Sequence, residues 1–175
     1  MRETQQSICA WANEAFGPAP GIFCILTRAN EELAELLRAI AAKQPNERIV
    51  EECADVAIVL VRVADRLDLD LRLDWSRLSD TVGYGGFDAV RANYQIASAL
   101  IDAESIDRGV PAETSLRERL QKIVGGLVIV CRFYGGSLDE AIDRKMAVNR
   151  ERVWKRDGTG HGYHMRDKSA GEVAP

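Results

Sequence analysis

Two acidic pairs stand out for the chemistry their spacing permits: Glu32 and Glu35 in Glu31-Glu32-Leu33-Ala34-Glu35, and Glu52 and Asp55 in Glu51-Glu52-Cys53-Ala54-Asp55. Residues three apart on a helix share a face, so each pair projects from one side of its own helix. If the two helices pack antiparallel, four carboxylates converge and their mutual repulsion raises their pKa values. A divalent cation relieves that conflict, and Mg²⁺ or Mn²⁺ favours oxygen ligands of this kind. The competing reading, solvated faces of amphipathic helices, suits Glu31, Glu47 and Glu51. Asp55 resists it, because it leads into the apolar run Val56-Ala57-Ile58-Val59-Leu60-Val61. A segment apolar all round reads as a buried helix, and Asp is seldom fully buried without a partner. No Lys or Arg lies within the turn before Asp55, and Arg62 follows two turns later.

The elements that must position these residues read as helices. A first helix is expected over 4–15, stopped by Gly17 and the Pro18/Pro20 pair. It carries Trp11 and Asn13. Trp11 is either a core aromatic or, with Phe16 as its rival, a stacking surface for a nucleobase whose edge the Asn13 amide would read. Residues 18–27 read as irregular, with Thr27 or Asn30 as the cap of a helix over 29–43. In that helix Leu33, Leu36, Leu37 and Ile40 form a core stripe. Glu32 and Glu35 border the stripe, at the rim of a cleft. Pro45-Asn46 makes a turn into a long buried helix over 47–67. A short helix over 71–78 and a glycine loop, Gly83-Tyr84-Gly85-Gly86, close a first half of about 80 residues.

The second half, about 85–165, lies in register with the first as a degenerate repeat. Arg28-Ala29-Asn30 recurs as Arg91-Ala92-Asn93, while Glu32 falls on Gln95, Glu35 on Ser98 and Asp55 on Gly126. The second copy keeps the apolar helix and loses the acids. It adds a capping box, Ser137-Leu138-Asp139-Glu140, opening a helix on which Lys145, Asn149, Arg152 and Arg156 recur four, three and four residues apart. That basic face is either solvated or an anion site. Gly158, Gly160 and Gly162 follow, and would let backbone amides approach an anion or base. His161 and His164 are the only histidines; substrate contact or surface exposure is preferred over a metal pair.

Composition bounds the rest. A chain of 175 residues fits one domain with a real core, and a net charge of −4 leaves no electrostatic footprint for nucleic acid. No apolar run reaches the roughly 20 residues of a membrane span, and the first residues lack a signal-peptide layout. Cys9, Cys24, Cys53 and Cys131 are scattered, which points to reduced thiols and a cytoplasmic setting. Helices this apolar in a chain with only 6% aromatics suggest further burial between subunits, as a homodimer or homotetramer.

The pattern E-x-x-E, a spacer of 16 residues, then E-x-x-D leading into an apolar helix resembles the all-α nucleoside triphosphate pyrophosphohydrolases, which include MazG, the dimeric dUTPases and the dCTP pyrophosphatases. The stretch from Lys145 through Asn149, Arg152 and Trp154 to the Gly-rich loop resembles the phosphate-handling region of that group. With Trp11-Ala12-Asn13, it is similar to the MazG-like proteins associated with purine nucleotides, including the MazZ-type dATP/dGTP pyrophosphohydrolases. The resemblance implies an all-α helical bundle and metal-dependent water attack at the α-phosphorus of a nucleoside triphosphate. It implies Glu32, Glu35, Glu52 and Asp55 as metal ligands, Glu35 doubling as general base, and Lys145, Asn149, Arg152 and Arg156 as phosphate contacts. dGTP or GTP comes first and dATP next. The internal duplication, closer to the dUTPase layout, keeps dUTP and dCTP open, and a catalytically silent helical scaffold is the rival from another class.

Overall fold

The computed structural model describes residues 2–71, 85–156, 158 and 160–164. Six helices carry the fold: α1 (Gln5–Phe16), α2 (Ile22–Ala41), α3 (Asn46–Arg66), α4 (Gly85–Asp107), α5 (Glu113–Phe133) and α6 (Leu138–Glu151). A ribbon of two three-residue strands follows, β1 (Trp154–Arg156) and β2 (Gly162–His164), antiparallel with Lys155 opposite Tyr163. The expected helix at 71–78, the Gly83-Tyr84 part of the glycine loop and the His164 side chain fall outside this description.

The described residues are all-helical apart from that ribbon, and α3 is the axis of the fold. From Val56 to Ala64 every residue of α3 is buried, because α3 touches α1, α2, α5 and α6. No face of it is left for water, as a helix apolar all round requires. Short connections make α2–α3 and α4–α5 two antiparallel hairpins. Gly126 lies about one turn further into α5 than Asp55 lies into α3. A Cβ on Gly126 would sit 3.8 Å from that of Ala92, so a small residue suits the close packing of α4 on α5. All four cysteines are free thiols, and burial raises the Cys53 thiol well above its ordinary pKa.

α1 starts at a reciprocal cap between Thr4 and Ser7 and ends at Gly17, which takes φ +80°. A glycine adopts that backbone at no steric cost. α2 corrects the sequence reading. It begins at Ile22, so Thr27 and Asn30 lie inside the helix, and Thr27 Oγ1 donates to the Cys24 carbonyl at 2.7 Å. The cap comes from far along the chain: Asp107, the last residue of α4, accepts from the Ile22 and Phe23 amides at 3.1 and 2.9 Å. Gly21 is small because a Cβ there would lie 2.8 Å from Asp107 Cγ. α6 also departs from expectation. Ser137 stands at its N-cap without a side-chain bond, and the helix stops at Glu151, with Arg152 extended.

Candidate metal centre and cleft

Glu32 projects from α2, and Glu52 and Asp55 from successive turns of α3. The antiparallel packing of the two helices gathers one ligand atom from each within 4.8 Å. The cluster is deeply set, with Glu32 8% and Glu52 3% exposed. Each acid has a basic partner: Arg28 Nη2 on Glu32, Arg48 Nη2 on Glu52, and Lys145 Nζ on Asp55 at 2.5 Å. The partner that Asp55 lacks locally thus arrives from α6.

These pairs do not fully compensate the acids. Burial, reinforced by Asp55 and opposed by Arg28, pushes Glu32 up to about 7. Burial likewise raises Glu52 against the opposing Arg48, and Asp55 against the opposing Lys145. The second oxygen of Glu52, Oε2, is buried with no hydrogen-bond partner. Such a group is costly unless something accepts its lone pairs. Three hard oxygen ligands and an orphaned carboxylate oxygen fit a divalent cation such as Mg²⁺, Mn²⁺ or Ca²⁺. Glu35 stands apart from this triad: it lines the cleft half-exposed, 3.7 Å from Arg38.

The cleft has a volume of about 370 Å³. It is lined by Glu32 and Asp55, by Ile58 and Val59 further along α3, and by Trp11, Phe16 and Trp154, with the Phe16 ring against Arg62 two turns beyond Asp55. Lys145, Asn149 and Arg152 form one wall. Asn149 is 5% exposed, accepts from Arg152 Nη1 at 3.2 Å through its side chain, and from the Trp154 indole at 2.9 Å through its carbonyl. The three rings meet edge to face, with centroids 5.2 Å apart for Trp11–Phe16, 5.9 Å for Trp11–Trp154 and 5.1 Å for Phe16–Trp154. A Cβ on Gly162 would lie 2.6 Å from the Lys155 carbonyl oxygen and 3.0 Å from the Phe16 ring. One on Gly160 would lie 2.6 Å from Ala19 Cβ. These two glycines therefore seat the ribbon on the α1 end of the fold, and Gly162 also lines the cleft.

Of the ten residues to which the sequence assigned metal, catalytic, phosphate or base roles, seven line this cleft: Trp11, Glu32, Glu35, Asp55, Lys145, Asn149 and Arg152. Glu52 joins them through the triad. Two do not. Asn13 faces a second cavity of about 420 Å³, with Cys9, Pro18, Ala19, Ile25, Asp65 and Arg66. Residues two apart on a helix point in different directions, so Trp11 and Asn13 cannot serve one pocket. Arg156 sits on β1, not on the helix, and donates to the Ala15 and Glu14 carbonyls at 3.0 and 2.6 Å. It caps the end of α1 and binds no cleft.

Sequence reasoning missed Arg28 and Arg48 as partners, although the signal was present: Arg-x-x-Glu-Glu occurs at both Arg28–Glu32 and Arg48–Glu52. Trp154 was read only as part of the Lys/Asn/Arg stretch, His161 only as a substrate contact or surface residue, and Arg62 received no place in the cleft that all three line. No family profile, characterised protein or solved structure matches the chain. No helix among the described residues is long and apolar enough to cross a membrane.

Proposed function

We propose that the protein is a nucleoside triphosphate pyrophosphohydrolase dependent on Mg²⁺ or Mn²⁺, cleaving a purine (d)NTP, with dGTP or GTP first and dATP next, to the monophosphate and pyrophosphate. The observation that carries this reading is one continuous cleft with three unlike parts. A buried all-oxygen triad lies at one end. Cationic and amide donors line one side, and an aromatic wall closes the far end. A triphosphate ester asks for those three environments in that order: cation ligands, donors for the remaining phosphate oxygens, and a flat apolar surface for the base. The acidic and Lys/Asn/Arg motifs, and their resemblance to the all-α pyrophosphohydrolases, support the same assignment.

Glu32, Glu52 and Asp55 would hold the cation. Bound there, it would lower the pKa of water and draw negative charge from the phosphate oxygens. Lys145 balances Asp55 and directs its remaining protons at the phosphate path; Asn149 and Arg152 donate beside it. Glu35, half-exposed one turn from Glu32, is the carboxylate free to accept a proton from the attacking water. Water enters at the α-phosphorus, and pyrophosphate leaves with the bridging electron pair.

Two other readings keep a specific footing. The aromatic wall would also receive a pyrimidine, as in dUTP or dCTP cleavage. The basic partner on each acid is what a self-neutralised scaffold would need. The test is pyrophosphate release from the eight common NTPs and dNTPs with Mg²⁺, with Mn²⁺ and with EDTA. Metal-dependent release biased to purines is expected. A bias to dUTP or dCTP would overturn the base assignment, and no release with either metal would favour the scaffold.

A further inference from the structure

Arg62 is a buried cation that meets no carboxylate among the described residues. It is 6% exposed, and lies on α3 two turns beyond Asp55. The nearest acid in sequence, Asp65, lines the neighbouring cavity with it but makes no ion pair. Burial lowers the Arg62 pKa, opposed only by the neighbouring Cys9. A desolvated guanidinium left in this state is costly, so its place at the cleft calls for a partner that the described residues do not supply.

What the chain does supply is a bracket that fixes the guanidinium's direction. The His161 ring lies between two groups of fixed hydrogen-bond sense. Nε2 is 2.8 Å from the Cys24 carbonyl oxygen, which can only accept. Nδ1 is 3.4 Å from Arg62 Nη1, which can only donate. Both contacts are satisfied only by a neutral ring carrying its proton on Nε2. His161 therefore holds Arg62 without neutralising it. The guanidinium carbon lies over the Phe16 ring, 5.6 Å from its centroid. Arg62, Phe16 and His161 all line the aromatic end of the cleft.

Resting on the nucleotide reading above, we propose that Arg62 is the base-reading residue, and that its fork of donors selects guanine by pairing with O6 and N7. Seven residues of helix separate Arg62 from Asp55 by about 10 Å along the axis. That offset sets it beyond the cation and the phosphate next to it, at the level of the base. Guanine presents two adjacent acceptors on this edge, O6 and N7, which match a guanidinium fork. Adenine replaces one of them with the N6 amino donor, which would face a donor across a buried contact and leave both unpaired. Asn13, the amide expected to read the base, is on the wrong side of α1. Arg62 takes its place with a different hydrogen-bond demand, for acceptors only, where the amide would have paired with one donor and one acceptor.

The test is equilibrium binding by isothermal titration calorimetry in magnesium buffer, using dGMP, dIMP, dAMP and 7-deaza-dGMP against the wild-type protein. dIMP keeps O6 and N7 but lacks the 2-amino group; 7-deaza-dGMP keeps O6 and loses N7. dGMP and dIMP are expected to bind alike and about 10- to 100-fold more tightly than dAMP, with 7-deaza-dGMP between. Arg62→Lys, checked for native helicity, is expected to erase the guanine-over-adenine ratio while retaining binding of both. The inference is overturned if dGMP and dAMP bind equally or not at all, if Arg62→Lys keeps the preference, or if it weakens both equally, which would make Arg62 a phosphate contact. Pyrophosphate release from dGTP is scored separately. Guanine-selective binding without turnover would sink the enzymatic reading and leave Arg62 in place. Turnover without guanine selectivity would do the reverse.

Discussion

Replacing Glu32 by Gln is expected to stabilise the metal-free protein at alkaline pH and to abolish its response to divalent cations. Burial, then the Asp55 charge, raises the Glu32 pKa from 4.5 to about 7 in the folded chain. A carboxyl group raised in this way binds its proton more tightly folded than unfolded. Stability is therefore fully present below the unfolded value and is lost as pH rises through the folded one. Above both values the ionised group costs the fold about 3 kcal/mol at 1.36 kcal/mol per unit. Gln removes that cost and gives up the contact with Arg28, which keeps its 2.6 Å pair with Glu31. A net gain of about 1–3 kcal/mol follows at about pH 8, or about 3–9 °C in Tm for a chain of this size. The gain should vanish near pH 4, below the unfolded value, where the wild-type carboxyl is mostly protonated both folded and unfolded. Thermal unfolding by circular dichroism in EDTA at both pH values reads this out. Repeating it with Mn²⁺ should raise Tm of the wild type and leave Glu32→Gln unmoved. An equal loss of stability at both pH values, or a variant still stabilised by Mn²⁺, would refute the idea of three under-compensated carboxylates awaiting a cation.

Three further perturbations separate parts of the site. Lys145→Met strips the ion pair from Asp55 and should cost about 3 kcal/mol in metal-free urea unfolding, with most of it recovered by adding Asp55→Asn; additive losses would contradict the pairing. Arg156→Ala should leave pyrophosphate release within about twofold while lowering stability by about 1 kcal/mol, the loss of a charged helix-end contact; a loss of turnover with unchanged Tm would restore its phosphate role. On α4, Val90, Tyr94 and Ile101 are exposed along one face, a stripe suited to a second subunit, so Tyr94→Glu should shift sedimentation towards the monomer, and an unchanged oligomer would exclude that face.

The acidic core of the site was legible in the sequence because its rules are local. Three-residue spacing put Glu52 and Asp55 on one face, and the apolar run after Asp55 marked α3 as buried. The convergence with Glu32 needed only the hairpin between two strongly periodic helices. Lys145 and Asn149 were legible for the same reason, one turn apart on α6. What failed depended on distant contacts. The start of α2 was hidden because its cap, Asp107, lies 85 positions along the chain from Ile22. Arg156 fitted a helical face that does not exist, since the chain leaves α6 after Glu151 to pair with Gly162–His164. Trp154 seals that exit by donating to the Asn149 carbonyl. Arg62 was in plain view in the sequence, but its meaning lies in its burial without a carboxylate among the described residues, a fact of three-dimensional packing that no spacing encodes.

The most direct test of the central reading is hydrolysis of dGTP in heavy-oxygen water, followed by phosphorus NMR, with Mg²⁺ and with EDTA. The expected result is metal-dependent formation of dGMP and pyrophosphate, with the heavy oxygen in the dGMP phosphate and none in pyrophosphate. Release of labelled orthophosphate, or no consumption of dGTP with either Mg²⁺ or Mn²⁺, would contradict attack at the α-phosphorus beside the Glu32, Glu52 and Asp55 cluster.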